Sequence, residues 1–276
     1  MDLSLFVLGI AAGVWLLLQF LYLLVIECVR RRDRAAPTTP YALGSLDAEN
    51  AAILVHGFAD TPQAWRREAE MLAARGWRVL VPELSHDGTE ADWLPLLVAT
   101  LREAKAAHGR VVLWGHSMGG AMALAAARRE TPDALILWAP FFAPRLGRTF
   151  TKLLYRLHRL LFLYPFVFTY FPALRQAKGS PASTYRVRRV IPVRTFAAML
   201  RTQRLAQGEP PACPTLLLLS RRDRVVDNRA ALRALPAAEQ TFAAAPESGH
   251  ALTNAADWAA NLDASLAWLN RHDQSV

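Results

Sequence analysis

Cysteine is scarce in this sequence. It has only two among 276 residues, Cys28 at the end of an apolar run and Cys213 before a strand-like run. Small secreted domains that depend on disulfides carry several cysteines at regular spacings. The two isolated cysteines exclude a disulfide framework, and their placement gives no indication of an oxidising compartment.

Acidic residues are missing from one long stretch. Between Arg145 and Arg204 there are 13 lysines and arginines and no aspartate or glutamate. The net charge of the whole chain is +9, so subtracting 13 leaves −4 for the remainder, and the basic character belongs to this segment. We expect no nucleic-acid partner, because the chain has no recognised nucleic-acid motif and its basic residues alternate with large aliphatic side chains.

What the sequence does have is apolar residues, which make up 53% of the chain. That fraction can form a buried core and argues against global disorder. The length suits one α/β domain with an insertion and is too short for two ordinary enzyme domains.

The N-terminus carries the longest apolar run, LSLFVLGIAAGVWLLLQFLYLLVI at residues 3–26. A helix needs roughly 20 apolar residues to cross a bilayer, so residues 1–29 are predicted to be a transmembrane anchor. A cleaved signal peptide is the main alternative, but it would have a positive start and small residues at its end, whereas this segment has Asp2 and ends in Glu27 and Cys28. A buried core helix fits so long a terminal run poorly.

A basic cluster follows the apolar run, with arginines at positions 30, 31, 32 and 34. The positive-inside tendency places this flank, and everything after it, on the cytoplasmic side. Residues 30–50 are predicted to be a basic juxtamembrane tether, and no strand is predicted before Ala51.

Residues 51–276 are predicted to be one α/β domain, because apolar runs alternate with helical patterns. Near-continuous apolar strands in such an alternation are typical of a mostly parallel sheet covered on both faces. About six strands are expected, at 51–58, 77–84, 111–117, 134–140, 214–220 and 240–246. The helices are expected at Gln63–Arg75, Ala91–His108, Met118–Glu130, Asn228–Leu235 and Asp257–Asn270.

One interval, about 141–207, is too long for a simple crossover and is predicted to be a helical cap insertion. Within it, 150–171 is apolar, aromatic and basic, which is typical of a segment lying in a lipid interface. An ordinary cap, with apolar residues around an acyl pocket and solvated arginines, is the alternative. A second transmembrane helix is disfavoured because basic residues interrupt the segment and Pro165 and Pro172 break it.

The candidate nucleophile is Ser117, in Gly115-His116-Ser117-Met118-Gly119. This G-x-S-x-G pattern lies between a predicted strand and a predicted helix, where a strained turn exposes the serine hydroxyl. A serine hydroxyl is a weak nucleophile near neutral pH, so it needs a base and an acid that orients the base.

The chain has seven histidines, and His250 is the predicted base because it follows the last strand. The other six are better explained as surface or structural residues. Asp223, after the 214–220 strand, is the predicted acid, while Asp227 is expected to cap the next helix. The oxyanion hole is assigned to the backbone N–H groups of Phe58 and Met118.

These segments resemble the α/β-hydrolase superfamily and, within it, the carboxylesterases and monoacylglycerol lipases. The resemblance is carried by LVHGFADTPQAW, GHSMGG, PTLLLLSRRDRVVD and ESGH, within residues 51–270. It implies hydrolysis of carboxylic esters, including lipid-like esters, through an acyl-enzyme, with no metal or organic cofactor. Acyl transfer or thioester cleavage by the same residues, and a non-catalytic lipid-binding protein on this fold, are the alternatives.

Overall fold

The computed structural model describes residues 3–33, 38–161, 166–168, 188–246 and 248–273. Its strands are β1 Tyr41–Leu43, β2 Asn50–Val55, β3 Arg78–Val81, β4 Arg110–His116, β5 Ala134–Trp138, β6 Phe166–Phe168, β7 Val190–Pro192, β8 Thr215–Leu219 and β9 Glu239–Phe242. Seven of them form one sheet in the order β1-β3-β2-β4-β5-β8-β9. All neighbouring pairs in this sheet are parallel except β1 and β3, which confirms the predicted α/β fold.

The helices are α1 Leu3–Asp33, α2 Arg66–Ala74, α3 Glu90–Ala107, α4 Met118–Ala127, α5 Arg148–Leu161, α6 Val193–Leu205, α7 Asn228–Ala234 and α8 Trp258–Asp273. Contacts join α3, α4 and α6 in one group and α2 and α8 in another, as expected for helical layers on the two faces of a sheet. Every residue of β5 and β8 is buried, which explains why these strands are continuously apolar.

The expectation that no strand precedes Ala51 is wrong, because β1 lies within the segment 30–50. Strand β1 pairs antiparallel with β3, with Tyr41 opposite Val81 and Leu43 opposite Val79. Gly44 then turns the chain at φ 82°, where a Cβ atom would lie 2.0 Å from a backbone carbonyl oxygen. Three residues are too few to show an alternating pattern, so sequence periodicity could not reveal this edge strand.

Helix α1 extends four residues beyond the predicted end of the anchor at residue 29. Its apolar part is long enough to cross a membrane by length and composition, a test that a signal sequence near the N-terminus also passes. Near its C-terminal end the helix contacts the inserted segment. The Tyr22 hydroxyl lies 2.8 Å from His158 Nε2 and donates to the Phe166 carbonyl oxygen at 3.0 Å, and the Arg30 guanidinium lies 5.3 Å from the centre of the Phe166 ring.

The interval predicted to be a cap contains α5, the antiparallel hairpin of β6 and β7, and α6. Part of the predicted 150–171 segment, at 162–165 and 169–171, lies outside the described residues. The return of the chain from the cap is held by Arg128, at the end of α4. Its guanidinium donates to the backbone carbonyl oxygens of five consecutive residues, 205–209.

Candidate active site

Ser117 lies at the turn between β4 and α4, with φ 55° and ψ −121°. A non-glycine residue with positive φ is strained by about 1–3 kcal/mol and persists only when its surroundings hold it. Here the Ser117 N–H donates to the Trp138 carbonyl oxygen at 3.0 Å, and its own carbonyl oxygen accepts from Phe141 N–H at 2.9 Å. The neighbouring strand β5 and the residues after it therefore fix this backbone conformation.

The two glycines of the motif are required by close backbone approach. A Cβ atom on Gly115 would lie 2.5 Å from the Gly119 carbonyl oxygen. A Cβ atom on Gly119 would lie 2.4 Å from the carbonyl oxygens of both Val55 and His56. Helix α4 can therefore pack against the end of β2 only with glycine at position 119.

The side chains of Ser117, His250 and Asp223 form a continuous chain of hydrogen bonds. His250 Nε2 lies 2.8 Å from Ser117 Oγ, and His250 Nδ1 lies 2.8 Å from Asp223 Oδ2. The three residues follow the carboxyl ends of β4, β9 and β8, which meet at the same edge because these strands are parallel. All three are buried, with Ser117 the most accessible at 7% exposed.

Asp223 is held as a hydrogen-bond acceptor. Its second carboxylate oxygen, Oδ1, accepts the backbone N–H groups of Val225 at 2.8 Å and Val226 at 2.9 Å. Burial would raise the pKa of Asp223, but the adjacent His250 and the hydrogen bonds from His250, Val226 and Val225 together lower it. The carboxylate is therefore ionised near neutral pH and accepts the Nδ1–H of His250, which leaves Nε2 free to accept a proton. The alternative acid, Asp227, caps α7 as expected, because its Oδ1 accepts the Arg229 N–H at 3.0 Å.

The loop that carries His250 is held by contacts that sequence reasoning missed. Asp257 accepts the Ser248 hydroxyl at 2.6 Å with one carboxylate oxygen and the Ala245 N–H at 2.6 Å with the other. The Ser220 hydroxyl donates to the Ser248 carbonyl oxygen and so joins this loop to the end of β8. The pair Ser248 and Asp257 has no motif signal, because its meaning depends on the fold of the loop.

The residues assigned to the oxyanion hole lie beside the serine. Met118 is the first residue of α4, so its N–H belongs to the first helical turn, which has no intrahelical acceptor. Gly57 approaches the turn at Ser117 so closely that a Cβ atom on Gly57 would lie 3.2 Å from Ser117 Cβ. Phe58 directly follows Gly57. The role of these two N–H groups stays a prediction.

His116 contacts the candidate base, a contact that sequence reasoning missed. Its Nε2–H donates to the His250 carbonyl oxygen at 2.9 Å, and the two rings are 5.2 Å apart. Its other nitrogen, Nδ1, lies 3.8 Å from Asp60 Oδ2. Through this hydrogen bond, His116 holds the backbone of the loop that carries His250.

His56 and His86 form a second, stacked pair near this edge, with ring centres 6.4 Å apart. Burial lowers the pKa of both, to about 3 for His86, so both are neutral at physiological pH. His56 donates from Nδ1 to the Gly57 carbonyl oxygen and accepts the Leu84 N–H at Nε2, both at 3.0 Å. These bonds join the end of β2 to the residues after β3 and indicate a structural role for His56.

A row of aromatic rings leads from this loop into the cap. Phe58 meets Phe196 of α6 edge-on, with ring centres 5.9 Å apart, and Phe196 stacks on Tyr155 of α5 at 5.8 Å. The site is therefore bordered by apolar side chains on the cap side. Within the described residues, no cluster of three or more histidine, cysteine, aspartate or glutamate side chains could hold a metal ion.

Several solved structures share this fold at low sequence identity. A structure of the metagenome-derived lipolytic enzymes LipS and LipT matches with a TM-score of 0.66 and 21% identity, over 85% of this chain and 98% of its own. The monoacylglycerol lipase of Paleococcus ferrophilus matches with a TM-score of 0.68 and 14% identity, over the same shares. A soluble variant of the monoglyceride lipase of Saccharomyces cerevisiae matches with a TM-score of 0.64 and 16% identity, over 84% of this chain and 91% of its own.

Among curated protein sequences, none matches the chain. The sequence model of the alpha/beta hydrolase family, in contrast, matches residues 52–262. This match begins in β2, includes Ser117 and Asp223, and ends in α8 after His250. The chain therefore belongs to the alpha/beta hydrolase family.

Proposed function

We propose that this protein is a membrane-anchored serine hydrolase that cleaves carboxylic esters with apolar acyl chains, such as acylglycerols or other lipid-like esters. The observation that carries the proposal is the hydrogen-bonded series of Ser117, His250 and Asp223 at a strained strand–helix turn. A buried carboxylate, an imidazole and a hydroxyl linked in this order can activate the hydroxyl near neutral pH.

In the first half of the reaction, Ser117 Oγ attacks the ester carbonyl carbon while His250 Nε2 accepts the hydroxyl proton. Asp223 keeps the imidazole oriented through Nδ1 and stabilises the imidazolium that forms. The oxyanion is stabilised by the backbone N–H groups of Phe58 and Met118, each contributing about 3 kcal/mol to transition-state stabilisation. The C–O bond to the alcohol then breaks, and His250 returns the proton to the leaving alcohol, which leaves an acyl group on Ser117.

In the second half, water attacks the acyl carbonyl carbon and gives its proton to His250. Collapse of the second tetrahedral intermediate breaks the bond to Ser117 Oγ, which recovers the proton from His250, and the carboxylic acid is released. The chemistry needs no metal and no organic cofactor.

The apolar character of the substrate is supported by the surroundings of Ser117. Phe58, Phe196 and Tyr155 border the site from the cap side, and large apolar linings are typical of sites for apolar ligands. Solved structures of this fold include lipolytic enzymes and monoacylglycerol lipases, which agrees with an ester bearing an acyl chain.

The anchor is α1, whose residues 3–29 cross the bilayer in this proposal. The apolar run is followed by arginines at positions 30, 31 and 32 at its C-terminal end. Because cytoplasmic flanks of membrane helices are enriched in basic residues, the hydrolase domain lies on the cytoplasmic side.

A fluorophosphonate probe tests the nucleophile directly. The full-length protein in detergent is expected to label and to hydrolyse p-nitrophenyl esters, whereas Ser117→Ala neither labels nor hydrolyses them above about one-thousandth of the wild-type rate. Ser45→Ala is the matched control, because Ser45 is exposed and lies before the amino end of β2, at the sheet edge opposite the one that carries Ser117. Equal labelling of wild type and Ser117→Ala would refute the assignment.

A further inference from the structure

Helix α5 exposes an apolar face on the outside of the cap. Its large apolar side chains recur at helical spacing, and each is between 43% and 77% exposed: Phe150, Leu153, Leu154, Leu157 and Leu160. With 3.6 residues per turn they occupy an arc wider than 100°, which is the width expected of a face that packs against another apolar surface. The inward side is narrow by comparison and carries Tyr155 and His158, which contact α6 and α1.

A row of cations borders this apolar face on one side. Lys152, Arg156 and Arg159 are exposed and recur at spacings of four and three residues, so they lie on one line along the helix. This line of cations lies between the apolar arc and the side of α5 that contacts α6 and α1. An apolar face next to a row of cations complements an anionic lipid surface, whose headgroups can pair with the cations while its acyl chains receive the apolar side chains.

The contact between α5 and α1 places α5 at the depth of a membrane boundary. From Leu3 to Tyr22 the helix rises by about 30 Å, the thickness of the hydrocarbon core. Tyr22 therefore lies close to the C-terminal end of the span, about two helical turns before residue 29, and its hydroxyl is 2.8 Å from His158 Nε2 of α5. An aromatic side chain with a polar tip is typical of this boundary.

The connection from α1 to the sheet also turns the site towards the membrane. After Asp33, at most about 28 Å of extended chain separates the helix from Tyr41. Tyr41 pairs with Val81 at the carboxyl end of β3, so the chain joins the sheet at the edge that carries Ser117. The opposite edge is reached only after β1, near Leu46.

We propose that α5 is a second membrane contact, lying in the interface of the bilayer that α1 spans, with its apolar face among the acyl chains and its cations on anionic headgroups. The site edge then faces the lipid surface, so a lipid ester reaches Ser117 from the bilayer past Tyr155 and Phe196. This inference rests on the membrane span proposed for α1.

A nitroxide-quenching experiment on the full-length protein tests the contact without relying on activity. An environment-sensitive fluorophore is attached at Leu157→Cys, with Cys28→Ser and Cys213→Ser removing the native thiols, and the protein is reconstituted into vesicles containing phosphatidylglycerol and nitroxide-labelled lipid. Leu46→Cys is the matched site, because Leu46 is a leucine that is 71% exposed near the opposite edge of the sheet. Quenching at position 157 is expected to exceed that at position 46 by about threefold or more.

The charge requirement is tested in the same system. Replacing Lys152, Arg156 and Arg159 by glutamine, using vesicles of phosphatidylcholine alone, or raising the salt concentration should each lower quenching at position 157. Equal quenching at positions 157 and 46, or quenching at 157 that is independent of lipid charge and salt, would overturn the proposal. Disulfide dimers joined through Leu157→Cys would also overturn it, because they would assign the face to a second copy.

Alkaline carbonate extraction separates failure of this inference from failure of the proposed function. If the chain is extracted from the membrane, the span itself is wrong and the α5 contact fails with it. If the chain resists extraction but position 157 is not quenched, only the α5 contact is wrong. Labelling by the fluorophosphonate probe reports on Ser117 independently of both results.

Discussion

Glu68 is a carboxyl group that lies fully buried in the fold. It lies in α2 with 0% exposure, and within the described part of the chain neither carboxylate oxygen has a hydrogen-bond partner. Burial raises the pKa of Glu68 from 4.5 to about 8, and the nearby N–H of its own backbone and the charge of Arg67 oppose this only in part. The protein therefore folds with a neutral carboxylic acid at this position at physiological pH.

The raised pKa makes stability fall as the pH rises. Above pH 4.5 the carboxyl group ionises in the unfolded chain, while in the folded chain it stays protonated until the pH approaches about 8. Each pH unit in this window shifts the equilibrium by about 1.4 kcal/mol towards the unfolded state. The accumulated cost is about 3 kcal/mol at pH 7 and about 5 kcal/mol above pH 8, a large part of the stability of an ordinary domain.

Glu68→Gln keeps the shape of the side chain and replaces the ionisable carboxyl group by a neutral amide. Its free energy of unfolding is expected to gain on wild type progressively from pH 5 to pH 8, by about 3–5 kcal/mol in total. Any fixed cost of the buried amide is the same at every pH and leaves this slope unchanged. The measurement is urea unfolding of the full-length protein in detergent, followed by tryptophan fluorescence.

Glu70→Gln is the control, since Glu70 lies on the same helix but is exposed and paired with Arg66 at 2.6 Å. An exposed ion pair of this kind contributes about 1 kcal/mol or less, so no pH-dependent gain is expected there. A stability difference between Glu68→Gln and wild type that stays constant from pH 5 to pH 8 would refute the reasoning.

Two further substitutions test the packing of the strand–helix turn at Ser117 and the role of Asp223. Gly119→Ala should destabilise the protein by about 3 kcal/mol or more, because the new Cβ would lie 2.4 Å from two carbonyl oxygens where β2 ends. Gly249→Ala should unfold at the wild-type temperature, because among the described residues no atom lies within 4 Å of the new Cβ. Equal melting temperatures for the two variants would contradict this packing argument. Asp223→Asn should lower kcat for a p-nitrophenyl ester by about 10⁴-fold, because the amide no longer holds the His250 imidazole in the required tautomer. Asp227→Asn should retain activity. A larger loss of kcat in Asp227→Asn than in Asp223→Asn would show that Asp223 is not the acid.

The sequence predicted the parts of this protein that rest on periodicity and position. Six apolar runs appear as strands of the sheet, and the helices between them begin and end within a few residues of their predicted bounds. Ser117, Asp223 and His250 could be selected because each follows a strand, and parallel strands bring such positions to one edge. Their catalytic roles stay predictions, but their proximity is a consequence of topology that a single sequence can reveal.

Other features depend on information that no local pattern contains. Glu68 would be placed on a solvated face by its charge, and only the packing of α2 shows that it is buried. The contact of His116 with the His250 backbone joins residues that are 134 positions apart in the sequence. Asp257 binds Ala245 and Ser248 in the loop before His250, and the conformation of this loop depends on contacts with distant parts of the chain.

The five carbonyl oxygens bound by Arg128 lie where the cap insertion returns to the sheet. This guanidinium holds residues 205–209, where the insertion ends, against the end of α4, and β8 begins six residues later. Changes in length or composition between residues 148 and 204 need not alter the position of Asp223, because Ala143 and Arg145, which bond to the segment 223–227, are kept. A chimera that exchanges residues 148–204 for a segment of another size should therefore keep the arrangement of Ser117, His250 and Asp223 while acquiring a different selectivity.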